Sequence, residues 1–198
     1  LLIILTWLSL IFISGINLFI FFSFFILISL LLSCLIFFVP KFQYIQERLL
    51  SFLDPNIGNN YQSEKASEAI TNGGFFGKGI GEGTLNTRVP EAHTDYIIAV
   101  ISEEFGAIIV IAIMAIFLVF TYQVLRKIYL ERDNRIKLIL VGSISIMLLQ
   151  TFIHIGVNIR LLPTTGMTLP FLSYGGSSII STAILSGIIL NLTKRKIN

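Results

Sequence analysis

Apolar residues in this chain come in long unbroken blocks, while the polar ones gather in one large segment and a few short ones. Leu18 to Val39 runs without a charge over the length of a membrane crossing and is closed by Pro40; a helix needs roughly 20 apolar residues to cross the hydrocarbon. Tyr96 to Leu125, Ile136 to Val157 and Phe171 to Thr193 are predicted to span in the same way. Leu1 to Ser14 is too short to cross alone and reads as the tail of a helix, followed by a turn at Gly15-Ile16-Asn17. Lys41 to Leu53 alternates Lys41, Glu47 and Arg48 with Phe42, Tyr44, Ile45, Leu49, Leu50 and Phe52, the pattern of a helix lying in the interface or of a loose helical linker. Asp54 to Thr94 is the only long polar stretch, with turn residues at Asp54-Pro55-Asn56 and Gly58-Asn59-Asn60. Within it, Gln62 to Thr71 predicts a short helix stopped by Gly73-Gly74. Asn158 to Pro170 is an irregular loop with Pro163, Gly166 and Pro170, and irregular backbone at such depth survives only beside protein or a water-filled cavity, as at the mouth of a site.

The pattern therefore predicts an all-α fold, a polytopic transmembrane helical bundle with a large extracytoplasmic loop. Residues 1–40 hold membrane helices, the first truncated; 41–94 form the loop; 95–193 hold three further spans; 194–198 form a basic tail. Arg126, Lys127, Arg132, Arg135 and Lys137 sit in one connection and Lys194, Arg195 and Lys196 in the tail, two spans apart and so on one side. By the positive-inside rule that side is cytoplasmic, which puts the long loop outside. Composition agrees: mean hydropathy is +0.87, and 13% of residues are charged against a soluble average of about 25%. The net charge of +3 is explained by these flanking clusters, and no basic stripe with stacking aromatics suggests a nucleic-acid partner. The single cysteine, Cys34, lies in an apolar run and reads as packing. The chain starts Leu1-Leu2-Ile3 with neither Met nor a charged signal-peptide region, so a fragment, or a reading frame that has lost its start, is expected.

Candidate chemistry gathers where the loop meets the third span. Thr94 and Asp95 follow Pro90-Glu91-Ala92-His93, and two roles are open to them. They could cap a helix, as Thr and Asp commonly do, or Asp95 could serve as a base or cation ligand at the bundle mouth. Glu103 and Glu104 lie in the same predicted helix, roughly 12 Å beyond Asp95, as cavity-lining acids or as one half of an interhelical ion pair. Glycines 73, 74, 77, 79, 81 and 83 surround Lys78 without matching the P-loop template. They form either a flexible loop or a backbone nest that, with Lys78 and Arg88, could hold a pyrophosphate. His154 reads as a hydrogen-bonded interhelical residue, and no His, Cys and carboxylate cluster has zinc spacing. Ser173-Tyr174-Gly175-Gly176-Ser177-Ser178 opens the last span with small residues that allow close packing.

Three long blocks resemble the FtsW/RodA (SEDS) family of peptidoglycan polymerases. They run from Tyr61-Gln62 through Gly77-Lys78-Gly79, from Pro90 through Tyr96 to Glu103-Glu104-Phe105-Gly106, and from Leu161-Leu162-Pro163-Thr164-Thr165-Gly166 through Leu169-Pro170 to Ser177-Ser178. Thr168 and Phe171 are closer to the FtsW division branch than to RodA. The family has ten spans, and this chain resembles its carboxy-terminal half, from the end of the sixth. The resemblance implies a glycosyltransferase that polymerises lipid II outside the bacterial inner (cytoplasmic) membrane, at the division septum, with release of undecaprenyl pyrophosphate. It places the family's essential aspartate on Asp95, which would deprotonate the acceptor 4-hydroxyl or hold a divalent cation such as Mg or Mn. Charge and side add Lys78, Arg88 and Arg160 as candidates for the lipid pyrophosphate, and the matching blocks add Glu91, His93 and Ser173 as further substrate-binding candidates. Expected partners are a class B penicillin-binding protein (transpeptidase), other division proteins and membrane lipids. A flippase of the lipid-linked precursor and a non-catalytic division scaffold are the alternative readings.

Overall fold

The computed structural model describes residues 2–54, 61–89 and 91–194; the turns expected over 55–60, Pro90 and the tail beyond Lys194 lie outside them. The described residues form ten α-helices and one 3-10 turn, with no strand among them. α1 is Leu2–Ile13 and α2 Leu18–Phe38, with the Asn17 side chain accepting from the Phe19 N–H at the start of α2. The 3-10 turn Pro40–Phe42 leads into α3, Gln43–Leu53. The polar segment holds α4, Tyr61–Gly73, and two one-turn helices, α5 Leu85–Arg88 and α6 Ala92–Asp95. α7 is Ile97–Phe105, α8 Ala107–Leu130, α9 Asn134–Asn158 and α10 Gly176–Lys194.

α2, α8, α9 and α10 are long and apolar enough to cross a membrane. α9 is the hub: α1, α8 and α10 all pack on it. Its two ends belong to different cores. Near its start, Leu140, Val141, Ile144 and Met147 meet Val124 and Ile128 of α8 and Ile189 of α10. Near its finish, Ile153 and Val157 meet Ala66 and Ala69 of α4, Ala92 and Tyr96, and Ala99 and Val100 of α7. Far from drifting in solvent, much of the polar segment is docked on the end of the bundle. The docking face of α4 is a stripe of small residues, Ala66, Ala69 and Gly73, all buried, and a side chain at Gly73 would collide with the Ser102 carbonyl of α7.

The third span differs from its expected limits. The apolar run from Tyr96 is broken at Gly106, whose backbone (φ 84°, ψ 172°) is open to glycine and unfavourable for other residues. The spanning helix is Ala107–Leu130, and Glu103 and Glu104 precede it in the separate α7. A helix break orphans carbonyls on one side and N–H groups on the other. The glycine-rich segment satisfies both sets. The N–H groups of Lys78 and Gly79 donate to the carbonyls of Glu103 and Glu104, at 2.9 and 3.0 Å. Those of Ala107 and Ile108 donate to the carbonyls of Gly74 and Phe75, at 2.9 and 3.4 Å. Side chains at Gly77 or Gly106 would strike the backbone across this strap. The last span also starts later than expected, at Gly176 rather than Phe171, because Phe171 adopts a left-handed turn (φ 66°).

Candidate active site

α6 is a single turn, so its carbonyls have few partners of their own. Three in succession are taken by groups from elsewhere. The His93 carbonyl accepts from the Tyr174 N–H at 3.0 Å, and that of Thr94 from the Ser173 hydroxyl at 2.6 Å. The Asp95 carbonyl accepts from the Asn158 amide at 3.0 Å. Asn158 is wholly buried; its amide also donates to the His154 carbonyl at 2.8 Å, and its oxygen accepts from the Ala99 N–H at 3.2 Å. Ser173 also accepts from the Leu169 N–H, and His154 Nδ1 lies 2.6 Å from the Met167 carbonyl. The backbone around Asp95 is thus pinned to the end of α9 and to the loop after it. His154 is hydrogen-bonded as expected, but to the loop after α9 and within its own helix rather than to a neighbouring helix, and its Nε2 is buried without a partner among the described residues.

The Asp95 side chain is left out of this network. Neither α6 nor α7 has a side-chain cap hydrogen bond, and among the described residues the Asp95 carboxylate has no hydrogen-bond or ion-pair partner. It does not cap a helix. It faces a cavity of about 100 Å³ lined by Arg48 of α3, Gln62 of α4, Glu91, Tyr96 and Thr164 to Met167. Gly166 lies against the carboxylate, where a Cβ would stand 3.4 Å from Asp95 Oδ2 in ordinary contact, and its left-handed backbone (φ 69°) is what favours glycine there. Burial pushes the Asp95 carboxyl above the ordinary aspartate range and the Glu91 carboxylate pushes it further, against a partial pull from the Arg48 guanidinium. Burial and the Asp95 charge likewise push the Tyr96 phenol up to about 12. Arg48 is held in place by donating to the Thr164 carbonyl at 3.2 Å. The Thr165 hydroxyl is buried without a partner among the described residues. Glu91, Arg160 and Phe171 all have left-handed backbone, a conformation that costs a non-glycine residue energy and gathers at functional sites.

Of the other substrate-binding candidates, only Glu91 lines this cavity. His93 is exposed and lines a separate cavity of about 520 Å³ with Ile97, Phe171, Leu172 and Tyr174. Ser173 lines the same cavity as His93, but it is buried and its hydroxyl is occupied in holding Thr94 to Leu169. Arg160 is exposed in the turn after α9, and Arg88 lines a different cleft beside Glu103. Lys78 is engaged: its ammonium pairs with Glu103 at 2.9 Å. The glycine nest is engaged too, because the Lys78 and Gly79 N–H groups cap α7. Glu103 is no cavity-lining acid at the Asp95 site. Its buried carboxylate accepts from Lys78, from the Thr84 N–H and hydroxyl, and from the Leu85 N–H, all at 2.9 to 3.1 Å. Burial would raise its carboxyl, but these bonds prevail and hold it below the ordinary range. Glu104 packs beside Gly83 and also lies away from the cavity.

Sequence reasoning missed Arg48, Gln62 and Asn158 as parts of the site. The site mouth it expected around Pro163 and Gly166 is where Thr164 to Met167 wall the Asp95 cavity.

A bundle of apolar helices with a carboxylate held open beneath a docked polar segment defines a multi-pass membrane protein with a candidate active site at one end of the bundle. The chain belongs to the FtsW/RodA/SpoVE family of cell cycle proteins, whose pattern it matches over residues 1–198. It is 38% identical over 173 residues to a protein of Geobacter metallireducens, covering 85% of this chain and 46% of that one. A Caulobacter vibrioides protein is 36% identical over 78% of this chain and 40% of its own length, and one from Coxiella burnetii 37% identical over 94% and 51%. All three carry the name "Probable peptidoglycan glycosyltransferase FtsW". The chain therefore spans about half the length of the curated relatives it matches. Its fold is shared with a chain of a solved peptidoglycan synthase complex, at a TM-score of 0.76 and 22% identity, over 100% of this chain and 55% of that one.

Proposed function

We propose that this chain forms the catalytic half of a peptidoglycan glycosyltransferase that polymerises lipid II at the outer face of the bacterial inner membrane, in the division branch of its family. The observation that carries the reading is the Asp95 carboxylate: pinned by its backbone, unpaired at its side chain, and facing a cavity that also holds Arg48. A carboxyl raised above its ordinary range is a better proton acceptor once ionised. Asp95 would take the proton from the acceptor sugar 4-hydroxyl as that oxygen bonds to the anomeric carbon of the donor. The bond from that carbon to the pyrophosphate oxygen breaks, and undecaprenyl pyrophosphate leaves with the electron pair. Arg48 is the cation placed to offset the leaving charge.

Asp95 and Glu91 are close enough for one charge to act on the other, and two carboxylates match what Mg²⁺ takes from a protein when phosphate oxygens supply the rest. Among the described residues no cluster of three or more His, Cys, Asp or Glu could cage an ion without substrate. A divalent cation bound there with the lipid would neutralise pyrophosphate charge. A class B penicillin-binding protein is the partner this reading expects, together with other division proteins at the septum.

The complete protein, reconstituted in vesicles with labelled lipid II, separates the possibilities. Glycan polymer is the expected product. Movement of lipid II between leaflets without polymer would make it a flippase, and neither result would leave a scaffold.

A further inference from the structure

α8 and α10 both end at the basic end of the bundle, and a cavity of about 680 Å³ opens between their last turns. It is lined by the cations Arg126, Lys127 and Lys194, by Gln123 and Thr193, and for the larger part by apolar residues such as Phe120, Val124 and Ile189. All three cations are exposed and lack acidic partners: the only ion pairs among the described residues are Lys65–Glu68 and Lys78–Glu103. The positive-inside rule accounts for basic residues at this end, but it does not require them to ring an apolar recess. Arg132 and Arg135, in and just after the same short connection, are equally exposed and lie outside it. Lys127 and Lys194 lie in the last turns of α8 and α10, where the helix C-terminus favours a cation. A headgroup phosphate over three cations, with acyl chain along an apolar wall, is the chemistry this recess matches.

We propose that the recess between the α8 and α10 ends is a binding site for an anionic phospholipid of the adjoining leaflet, its phosphate held by Arg126, Lys127 and Lys194. The occupant is a lipid and not a soluble phosphate, because most of the wall is apolar and lies along spanning helices.

The complete protein is purified in a zwitterionic detergent and titrated with phosphatidylglycerol or phosphatidylcholine. Bound lipid is counted by native mass spectrometry, and melting temperature is followed in parallel. One variant combines R126Q, K127Q and K194Q. A charge-matched control combines R132Q, R135Q and K137Q, which removes three cations from the same end but outside the recess. Each cation near an anionic headgroup is worth about a fivefold gain in affinity. The recess variant should therefore bind phosphatidylglycerol at least tenfold more weakly than the parent and lose its stabilisation, while the control keeps both. Phosphatidylcholine and inorganic phosphate should neither bind in a defined ratio nor stabilise. Equal losses in the two variants would reduce the effect to a general basic surface and overturn the site. A parent that retains no anionic lipid would overturn it as well, as when another segment of the complete protein fills the recess. Saturable stabilisation by inorganic phosphate alone would replace the lipid with a soluble anion.

Discussion

At the scale of single residues, the site depends on separating what holds Asp95 from what Asp95 does. Asn158, Ser173 and the Tyr174 N–H hold its backbone, and the side chain is left to the cavity. The consequence is visible in pH. Burial and Glu91 raise the Asp95 carboxyl, so the folded state prefers it protonated. The stability gained from that preference is present below the unfolded value and is lost as pH rises through the folded one. At neutral pH the ionised carboxylate is a burden on the fold, and activity requires that burden. Polymerisation by the complete protein should rise with pH along an acid limb centred above the ordinary value of 3.8. Glu91→Gln removes one cause of the rise and should move the limb to lower pH, with only a modest loss of maximal rate. A limb unmoved by Glu91→Gln would mean that another group titrates.

Among the elements, the interrupted helix is the feature that the residue pattern could not disclose. The spans around Leu18, Ile136 and Ile179 were legible because lipid-facing helices must be apolar over a fixed length. The stretch from Tyr96 onward is largely apolar on both sides of Gly106, and the paired acids Glu103 and Glu104 just before it read as charges within a span rather than as the end of a helix. What enforces the break is the strap from Gly73 to Gly79, and its glycines are equally compatible with a flexible loop. Arg48 escaped for a similar reason: a charge in an amphipathic helix reads as solvated until Thr164 is seen beside it. Asn158 reads as the first residue of a loop, although it is the last of α9 and wholly buried. Glu103 was legible as half of an ion pair, but its partner was not. Its carboxyl is lowered in the fold, so its contribution is present above about pH 4.5 and is lost as pH falls through the folded value. Glu103→Gln should lower stability at pH 7 by about 2 kcal/mol, the size of bonds to a buried charge, and should flatten the acid decline in melting temperature. A variant as stable as the parent at pH 7 would remove Glu103 as the anchor of α5 and the strap.

For the whole molecule, what Asp95 can act on depends on which side of the membrane α6 faces. The basic ends of α8, α9 and α10 are expected inside and the docked segment outside. Asn72 and Asn134 are both exposed, and each can be replaced by cysteine in a Cys34→Ser background of the complete protein. An impermeant thiol reagent applied to intact spheroplasts should label the cysteine at 72 and spare the one at 134. The opposite pattern would place Asp95 in the cytoplasm, away from any outer-face polymer.

The central claim is that Asp95 performs chemistry, and one substitution addresses it directly. Asp95→Asn keeps the shape of the side chain and its hydrogen-bonding reach while removing the base, and it also relieves the folded state of a buried charge. The variant complete protein should insert normally and melt no lower than the parent. With labelled lipid II it should form glycan about 10²–10⁴-fold more slowly, the usual cost of losing a general base. Glycan synthesis within a few fold of the parent, in a protein equally well folded, would contradict the account and pass the chemistry to another residue.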